Sequence, residues 1–249
     1  MSRAEYSVVD VHQHSGPWPF AGRWGGVELN LRLLERRGIH AAILSSTEAI
    51  VDDMVAGNQR LAEGIEGHPS LFGYVVVNPR YLDLSIRQLE THYANSQFVG
   101  AKIHTSYSAT PMNEPRLADL FAVLEPYRKP LLIHTWGVGA VRALAGLAKR
   151  FSQLPIIVAH AGGEAWREAI QASREAPNLY LDFCLSNIER GRIERGIAAL
   201  GPGRVMLGTD ATLFDPLYML SCFREADIAD ADRPLVMGDN AIRLFSLEL

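Results

Sequence analysis

Hydrophobic positions along the chain follow two alternating patterns. Short runs of apolar and β-branched residues predict buried strands, and the longer stretches between them place apolar residues three or four positions apart, as on one face of a helix. Leu117, Leu120 and Leu124 illustrate the helical spacing. The predicted strands are Ser7–His14, His40–Ser45, Leu71–Asn78, Phe98–His104, Pro130–Thr135, Pro155–His160, Leu179–Cys184 and Arg204–Asp210. The predicted helices include Val27–Arg37, Asp52–Glu66, Leu84–Asn95, Glu114–Tyr127, Ala140–Phe151 and Ala165–Ala172.

The strand ends recur every 22 to 32 residues, and no change in composition marks a linker. Eight strand-and-helix units in 249 residues predict an α/β fold of the (β/α)8, or TIM-barrel, class, as one domain over residues 1–249. A doubly wound open sheet is the alternative, but it would use fewer strands and usually carry a glycine-rich turn after the first one. The chain has His-Ser-Gly-Pro-Trp-Pro there. The segment Gly238–Leu249 predicts a closing helix capped by Asp239 or Asn240.

Histidines collect at the predicted strand ends. Five of the eight lie there, and Asp210 ends the last strand; the five are His12, His14, His104, His134 and His160. The carboxyl-terminal ends of barrel strands meet at one face, where the chemistry of this fold is found. Alternation along a strand points His12 and His14 to the same side. We therefore expect a common site at this face.

The residue types at this face suit a metal. The two histidines of the first strand, together with His134 and Asp210, would supply three nitrogens and one oxygen, a set that favours Zn²⁺, with Mn²⁺, Fe²⁺ or Co²⁺ as alternatives. His134 could instead be a buried histidine bonded to backbone, and Asp210 could cap a helix. His160 is either a ligand or a general acid/base. A metal would activate water, Asp210 would take its proton, and His160 would polarise a carbonyl or protonate a leaving group.

For four further residues the sequence leaves the role open. Lys102 could be solvated or ion-paired, contact a substrate carboxylate, or be a carboxylated lysine that bridges two metals. His104 has the same parity and could contact substrate or support the ligands. Asp10 has the parity of His12, so we expect it one layer deeper, where it could orient a ligand. The face taken by Asp182 stays open. Candidate pocket walls are Trp18, Phe20, Trp24 and Trp136.

Motifs spread over the whole chain carry a family resemblance. They are V-D-V-H-Q-H, F-G-Y-V-V-V-N-P, G-A-K-I-H, P-L-L-I-H-T, V-A-H-A-G-G, L-G-T-D and D-N-A-I-R-L-F. In this order they resemble the amidohydrolase superfamily, most closely its amidohydrolase-related branch of compact metal-dependent TIM barrels. The resemblance implies a divalent metal held by His12, His14, His134 and Asp210, with His160 beside it in catalysis. The branch contains lactonases and other hydrolases, hydratases and non-oxidative decarboxylases.

Two departures from that pattern bear on substrate size and metal count. The loop Ser15–Gly26 after the first strand is short, so any lid must be small. Lys102 leaves a two-metal site open.

We expect first a metal-dependent hydrolase that activates water to cleave a small lactone, ester or amide. The alternative is a non-oxidative decarboxylase of a small aromatic or enol carboxylic acid, which needs a carboxylate contact such as Lys102 or Arg23. A third hypothesis is a barrel that binds a metal or ligand without catalysis. The sequence leaves the bond that is cleaved open, because barrel specificity lies in the loops.

Composition excludes several classes of partner. The 24 basic and 28 acidic residues give a net charge of −4 without a basic block, which disfavours nucleic acid. The absence of a polybasic helix, a long apolar run or a signal core disfavours a membrane partner and secretion. Two cysteines are too few for a disulfide framework. We therefore expect a cytoplasmic enzyme with a small-molecule substrate, and homo-oligomerisation stays open.

Overall fold

The computed structural model of the protein describes residues 6–20, 24–185 and 188–249. Eight parallel strands lie side by side in chain order in one sheet that curls into a nearly closed barrel. This confirms the (β/α)8 prediction. The strands are β1 (Val9–Ser15), β2 (Ala41–Ser46), β3 (Leu71–Val76), β4 (Phe98–Ile103), β5 (Leu131–His134), β6 (Ile156–Ala159), β7 (Leu179–Asp182) and β8 (Val205–Met206).

Helices follow the strands and cover the outside of the barrel. The helix Pro115–Leu124 shows why: its residues Leu117, Leu120, Phe121 and Leu124 are all buried against the core, as their spacing predicts. The predicted helix Asp52–Glu66 is observed as one helix, Met54–Ile65, which starts there because the Asp53 carboxylate accepts hydrogen bonds from two backbone N–H groups; a short helix, Thr47–Val51, precedes it. The helices are α1 (Val27–Arg37), α2 (Thr47–Val51), α3 (Met54–Ile65), α4 (Leu82–His92), α5 (Pro115–Leu124), α6 (Val138–Arg150), α7 (Trp166–Glu175), α8 (Arg192–Leu200), α9 (Leu217–Glu225) and α10 (Asn240–Phe245). None of the described helices is long and apolar enough to span a bilayer.

The lower part of the barrel interior is apolar. Phe245 of α10 packs edge-to-face on Tyr74, with ring centroids 5.8 Å apart. The Tyr74 hydroxyl donates to the carbonyl of Val11 at 2.8 Å. Polar inward-facing side chains are therefore left to the upper end of the strands. The interior apolar residues include Val9, Val11, Ile43, Tyr74, Leu132, Ile157 and Met206.

The closing segment differs from the sequence prediction. A π-helical turn over Leu235–Asp239 precedes α10, so the helical segment begins before Gly238. Asp239 precedes α10 at the predicted cap position, but its backbone is already helical and its side chain makes no capping hydrogen bond. The Asn240 amide instead donates to the carbonyls of Pro202 (2.7 Å) and Val205 (2.9 Å), because these carbonyls at the start of β8 need partners.

The joint between β8 and β1 is irregular. Only Val205 and Met206 belong to β8, so the predicted strand Arg204–Asp210 was too long. Beyond it, the N–H of Val11 donates to Leu207 O at 2.9 Å, and the N–H of Asp210 donates to His12 O at 2.8 Å. The sheet closes through these single bonds, and the segment that closes it also carries Asp210.

Candidate metal centre and active site

A β-bulge in β1 sets the direction of its side chains. The step of three positions from Asp10 to Gln13 pairs with a step of only two positions in β2, from Ala42 to Leu44. Val11 therefore belongs to the barrel interior, whereas Asp10 bonds to the side chain of Gln13, which in turn accepts from Asn30 of α1. The expectation that Asp10 lies below His12 was wrong, since the extra residue breaks the parity between them.

Asp10 instead joins two segments of backbone. Its carboxylate accepts from the N–H of His12 at 3.1 Å and from the N–H of Thr209 at 3.0 Å. Burial raises the pKa of this carboxyl to about 7, against the hydrogen bonds from Thr209 and Gln13 that lower it. Asp10 thus fixes the backbone on which His12 and Asp210 are carried, without touching an imidazole.

His12, His14 and Asp210 converge at the upper end of the barrel. His14 Nε2 lies 3.1 Å from Asp210 Oδ1, and His12 Nε2 lies 3.7 Å from the same oxygen. All three side chains are buried. Ligands held about 2.1 Å from one metal ion in tetrahedral or octahedral geometry lie roughly 3.0–3.4 Å apart. The three atoms are therefore close to the spacing of a metal's ligands.

Hydrogen bonds at the far side of each ring set the tautomers. His12 Nδ1 donates to Asp182 Oδ2 at 2.9 Å, since the carboxylate can only accept. His14 Nδ1 contacts Ser45 Oγ at 2.9 Å, and that hydroxyl can donate to the carbonyl of Gln13. Both Nε2 atoms are then unprotonated and face Asp210. Partners of this kind orient metal-binding histidines. We conclude that this donor set fits a divalent cation.

Protonation states agree with this assignment. Burial and, to a smaller extent, the positive charge of Lys102 lower the pKa of His12 to about 4, against the opposing effect of Asp182. Burial and Lys102 also lower the pKa of His14 well below its usual value. For Asp182, burial alone would raise the pKa, but the neighbouring His12 holds it below its usual value. At neutral pH two neutral imidazoles therefore lie beside an ionised Asp182.

Lys102 lies at the floor of the same site. Its side chain is fully buried, and Nζ lies 3.0 Å from His12 Nε2. Burial lowers the pKa of Lys102 to about 8, against the charges of Asp210 and Asp182. Lys102 therefore uses the lone pair that a metal would take from His12, and its amine would need a new partner once a metal is bound.

His134 and His160 form a second pair beside the first group. His160 Nδ1 donates to the carbonyl of Cys184 at 2.8 Å, and His160 Nε2 lies 3.1 Å from His134 Nδ1. Nε2 of a neutral His160 thus accepts a hydrogen bond from His134 Nδ1–H, which leaves His134 Nε2 unprotonated. The His134 ring also stacks on His104, with centroids 4.1 Å apart. The structure brings His134 to the same pocket but not into the three-atom cluster of His12, His14 and Asp210.

Backbone strain occurs at both predicted catalytic residues. His160 has φ of 61° and Asp210 has φ of 60°, in the left-handed region that most side chains avoid. Such residues cost on the order of 1–3 kcal/mol and collect at functional sites. Gly208 allows its backbone to approach His12 and Asp182 closely, because a Cβ there would lie 3.0 Å from His12 Cβ and 3.1 Å from Asp182 Cγ.

Sequence reasoning missed three supporting residues. The sequence did not decide whether Asp182 points into or out of the barrel. The available signal is alternation along β7: Asp182 lies two residues after Tyr180 and therefore points to the same side, into the barrel. Ser45 carried no signal, because a serine at a strand end is common. Cys184 Sγ lies 3.1 Å from His12 Nδ1 and 3.3 Å from His160 Nδ1. Both nitrogens already donate elsewhere, so Cys184 fits a supporting position better than a ligand position.

The site opens into a pocket of about 230 Å³. Three predicted walls, Trp18, Phe20 and Trp136, line it, whereas the Trp24 indole instead donates to the carbonyl of Phe20 at 3.0 Å. Arg23, proposed from the sequence as a carboxylate contact, lies outside the described residues. The lining also includes Tyr107, Leu185, Leu213 and Phe214, with all five strand-end histidines and Asp210.

Comparison with known proteins agrees with this arrangement. A family model described as amidohydrolase matches residues 9–247. The chain belongs to the amidohydrolase family. A search of curated proteins found no match. The family confirms the resemblance expected from the motifs and supports an enzyme that uses a divalent metal.

Solved structures similar to this chain include decarboxylases. 5-Carboxyvanillate decarboxylase LigW from Sphingomonas paucimobilis has a TM-score of 0.79 at 16% identity, covering 98% of this chain and 100% of that one. Dihydroxybenzoic acid decarboxylase from Polaromonas sp. JS666, with bound manganese and 2-nitroresorcinol, has a TM-score of 0.77 at 20% identity, covering 97% of each chain. An amidohydrolase from Burkholderia multivorans with bound HEPES has a TM-score of 0.77 at 15% identity, covering 97% and 100%. At these identities the likeness concerns the fold.

Proposed function

We propose that this amidohydrolase-family enzyme is a divalent-metal-dependent, non-oxidative decarboxylase of small aromatic carboxylic acids. The observation that carries the proposal is the pocket itself, in which aromatic side chains surround a floor of histidines with a buried lysine beside them. His12, His14 and Asp210 would hold the metal, with His134 as the fourth ligand suggested by the sequence. The decarboxylases among the structural neighbours support this choice over hydrolysis, which the sequence had favoured.

The charges at the floor suit a carboxylate. Asp182 and Asp210 contribute two negative charges, and Lys102 with a divalent cation contributes three positive ones. The sum is positive, so a substrate monoanion would neutralise the site as it enters. In a pocket of low polarity such a charge balance decides binding more strongly than it does in water. The aromatic walls formed by Trp18, Phe20 and Trp136 suit a flat ring.

The reaction needs one proton at a defined place. The bond between the ring and the carboxyl carbon breaks, CO2 leaves, and the ring carbon takes up a proton in its place. A bound metal would supply positive charge that orients the carboxylate and the neighbouring oxygen. The proton would come from Nε2 of a His160 that carries protons on both ring nitrogens, with Nδ1–H kept on the carbonyl of Cys184. The contact between His160 Nε2 and His134 Nδ1 gives a route by which that proton is replaced.

Asp210 is the second catalytic group in this proposal. Its Oδ1 lies 3.1 Å from His14 Nε2 and its side chain lines the pocket, where it can orient a substrate hydroxyl. The same position also favours the second candidate function, hydrolysis of a small lactone, ester or amide. There the carboxylate would accept a proton from water, and His160 would protonate the leaving group.

Turnover assays separate the two functions. Metal-free protein would be reloaded with Mn²⁺ or Zn²⁺ and given 2-hydroxybenzoate, 2,6-dihydroxybenzoate and a matched panel of lactones, esters and amides. We expect CO2 and the corresponding phenol in equal amounts, with loss of activity on chelation. Turnover of the hydrolase panel, without CO2 from any acid, would overturn the proposal in favour of hydrolysis.

Two variants test the catalytic assignments without disturbing the strained backbone. Asn tolerates the left-handed region, so Asp210→Asn and His160→Asn are expected to fold. Each should lower kcat by about 10²–10⁴-fold, the usual contribution of a proton-transfer group. Asp215→Asn, at an exposed ion pair with Arg37, serves as the matched carboxylate control and should keep full activity. Full activity in Asp210→Asn or His160→Asn would contradict the roles given to them.

A further inference from the structure

A second cavity adjoins the pocket of the candidate active site. This distal cavity, of about 610 Å³, lies between the loop that follows β4 and the first turn of α6. The pocket that contains the metal-ligand candidates measures about 230 Å³. Pockets that hold small organic ligands usually measure about 300–1,000 Å³. The inner pocket therefore has room for little more than one ring, whereas the distal cavity has the size of a binding site of its own.

The two cavities share a wall. His134 and Trp136 line both of them. The two rings are nearly parallel, with an interplanar angle of 11° and centroids 6.4 Å apart. Trp136 is 50% exposed, so its outer part is free to contact a ligand. A ligand whose ring lies against His134 therefore has a direct route along Trp136 into the distal cavity.

The distal cavity has no charged residue of the Asp, Glu, Lys or Arg type among the described residues that line it. The hydroxyl of Ser106 and the side-chain amide of Asn113 make no hydrogen bond to any other described residue, so their donors and acceptors are available. Met112 and Ala140 add apolar surface. This chemistry suits an uncharged group that can form hydrogen bonds, and it disfavours a second carboxylate or a phosphate, which would have no countercharge. The lining includes Thr105, Ser106, Met112, Asn113, Gly139 and Ala140.

The loop that forms one side of the cavity is braced. The N–H of Thr110 donates to the carbonyl of Thr105 at 3.0 Å, and the N–H of Ser108 donates to the carbonyl of His104 at 3.0 Å. From outside, the Arg80 guanidinium donates to the carbonyl of Ala109 at 2.9 Å. The Thr105 hydroxyl donates to the carbonyl of His134, which ties the loop to the shared wall. The cavity is thus formed before a ligand enters.

We propose that the distal cavity binds an uncharged, hydrogen-bonding substituent of the substrate. The preferred substrates are then aromatic acids that carry such an extension, and bare rings are converted less efficiently. This inference rests on the proposed function, because it places the reacting carboxyl group in the inner pocket. It adds that Ser106 and Asn113 contact the remote end of the substrate.

Two glycines of α6 provide a matched pair of variants. Gly139 lines the cavity, whereas Gly146 of the same helix does not. A Cβ added at either position would meet nothing within 4 Å. Gly139→Leu would therefore place a side chain in the cavity from a position where its Cβ has room, and Gly146→Leu would add the same side chain to an exposed position of the same helix away from the cavity.

The probes are 2-hydroxybenzoate and its 4-acetamido, 5-acetamido and 5-sulfo derivatives. Turnover is followed as CO2 release. Binding to the Zn²⁺-loaded protein is followed independently by saturation-transfer difference NMR. We expect one acetamido acid to exceed 2-hydroxybenzoate by about tenfold in kcat/KM and in affinity, and the charged sulfo acid to show no such gain. The advantage should persist in Gly146→Leu and disappear in Gly139→Leu.

The possible results separate the two proposals. The inference is overturned if neither acetamido acid has an advantage, or if the advantage survives in Gly139→Leu. If the acids bind but release no CO2, the decarboxylase proposal fails, while the binding comparison still decides the role of the cavity. If 2-hydroxybenzoate itself does not bind, the proposed substrate class is wrong and the inference falls with it.

Discussion

Asp182 Oδ2 lies 2.9 Å from His12 Nδ1, and both side chains are fully buried. The other oxygen of this carboxylate accepts from the backbone N–H of Cys184 at 3.0 Å and of His160 at 3.3 Å. One residue at the end of β7 thus orients a candidate ligand on β1 and also fixes the segment that carries His160. The two halves of the site are coupled through it.

Asp182→Asn tests this coupling. In this variant the amide oxygen can still accept from the two backbone N–H groups. The amide NH2 group then faces His12 Nδ1 and cannot accept its hydrogen bond. We expect metal affinity to fall by about 10–100-fold, as for other partners of ligating histidines. Isothermal titration of the metal-free protein with Zn²⁺ measures this, with Asp215→Asn as the surface control. Equal affinities in the two variants would contradict the role given to Asp182.

Lys102→Met separates substrate binding from metal binding. The substitution keeps a long side chain but removes the amine that bonds His12 Nε2 and, in the proposed function, the substrate carboxylate. Because a hydrogen bond to a charged group contributes about 1.5–3 kcal/mol, KM for an aromatic acid should rise roughly 10–100-fold. Metal affinity should not fall, since a competitor for His12 is removed. An unchanged KM, or a lower metal affinity, would show that Lys102 supports the metal instead.

Asn58 makes a testable contribution to stability. From α3, its side chain accepts from the N–H of Val76 and donates to the carbonyl of the same residue, both at 2.9 Å. Asn58→Ala should lower the free energy of unfolding by about 2–4 kcal/mol, because two buried backbone groups lose their partner. Gln59→Ala, at an exposed position of the same helix, should change it by less than about 0.5 kcal/mol. Urea titrations of both variants make the comparison.

His92 predicts part of the pH dependence of stability. It is buried, with its ring 4.9 Å from that of Phe98, and burial lowers its pKa below the usual value. The unfolded chain therefore binds a proton more readily, so the stability contributed by neutral His92 is complete above about pH 6.5 and is lost as the pH falls below it. When the pH is lowered from 7 to 5, the melting temperature of His92→Gln should fall by less than that of the wild-type protein. Parallel losses would exclude His92 as a source of acid lability.

The fold could be predicted from the sequence because hydrophobic periodicity is a local signal. The spacing of Leu117, Leu120 and Leu124 places one face of α5 on the core whatever the rest of the chain does. The strand-end histidines could be placed at one face for a related reason, since every parallel strand of a barrel ends on the same side. These predictions needed no knowledge of which residues touch.

Features that depend on contacts between distant residues could not be predicted in this way. The bulge in β1 moves Asp10 out of the barrel, and nothing in V-V-D-V-H-Q-H marks where an extra residue is accommodated. The partner of His12 is Asp182, 170 positions along the chain. The backbone of Asp210 lies in the left-handed region and its N–H donates to His12 O, whereas the sequence predicted a regular strand as far as Asp210.

The irregular joint between β8 and β1 has a consequence for protein engineering. His12 and His14 lie on one side of this joint and Asp210 on the other, so the donor set bridges the place where the beginning and the end of the chain meet. A circular permutant that opened the chain between two other strands would join the original ends by a linker and leave that junction spatially intact. One that separated β1 from its neighbour would dismantle the donor set while leaving every one of its residues in the sequence.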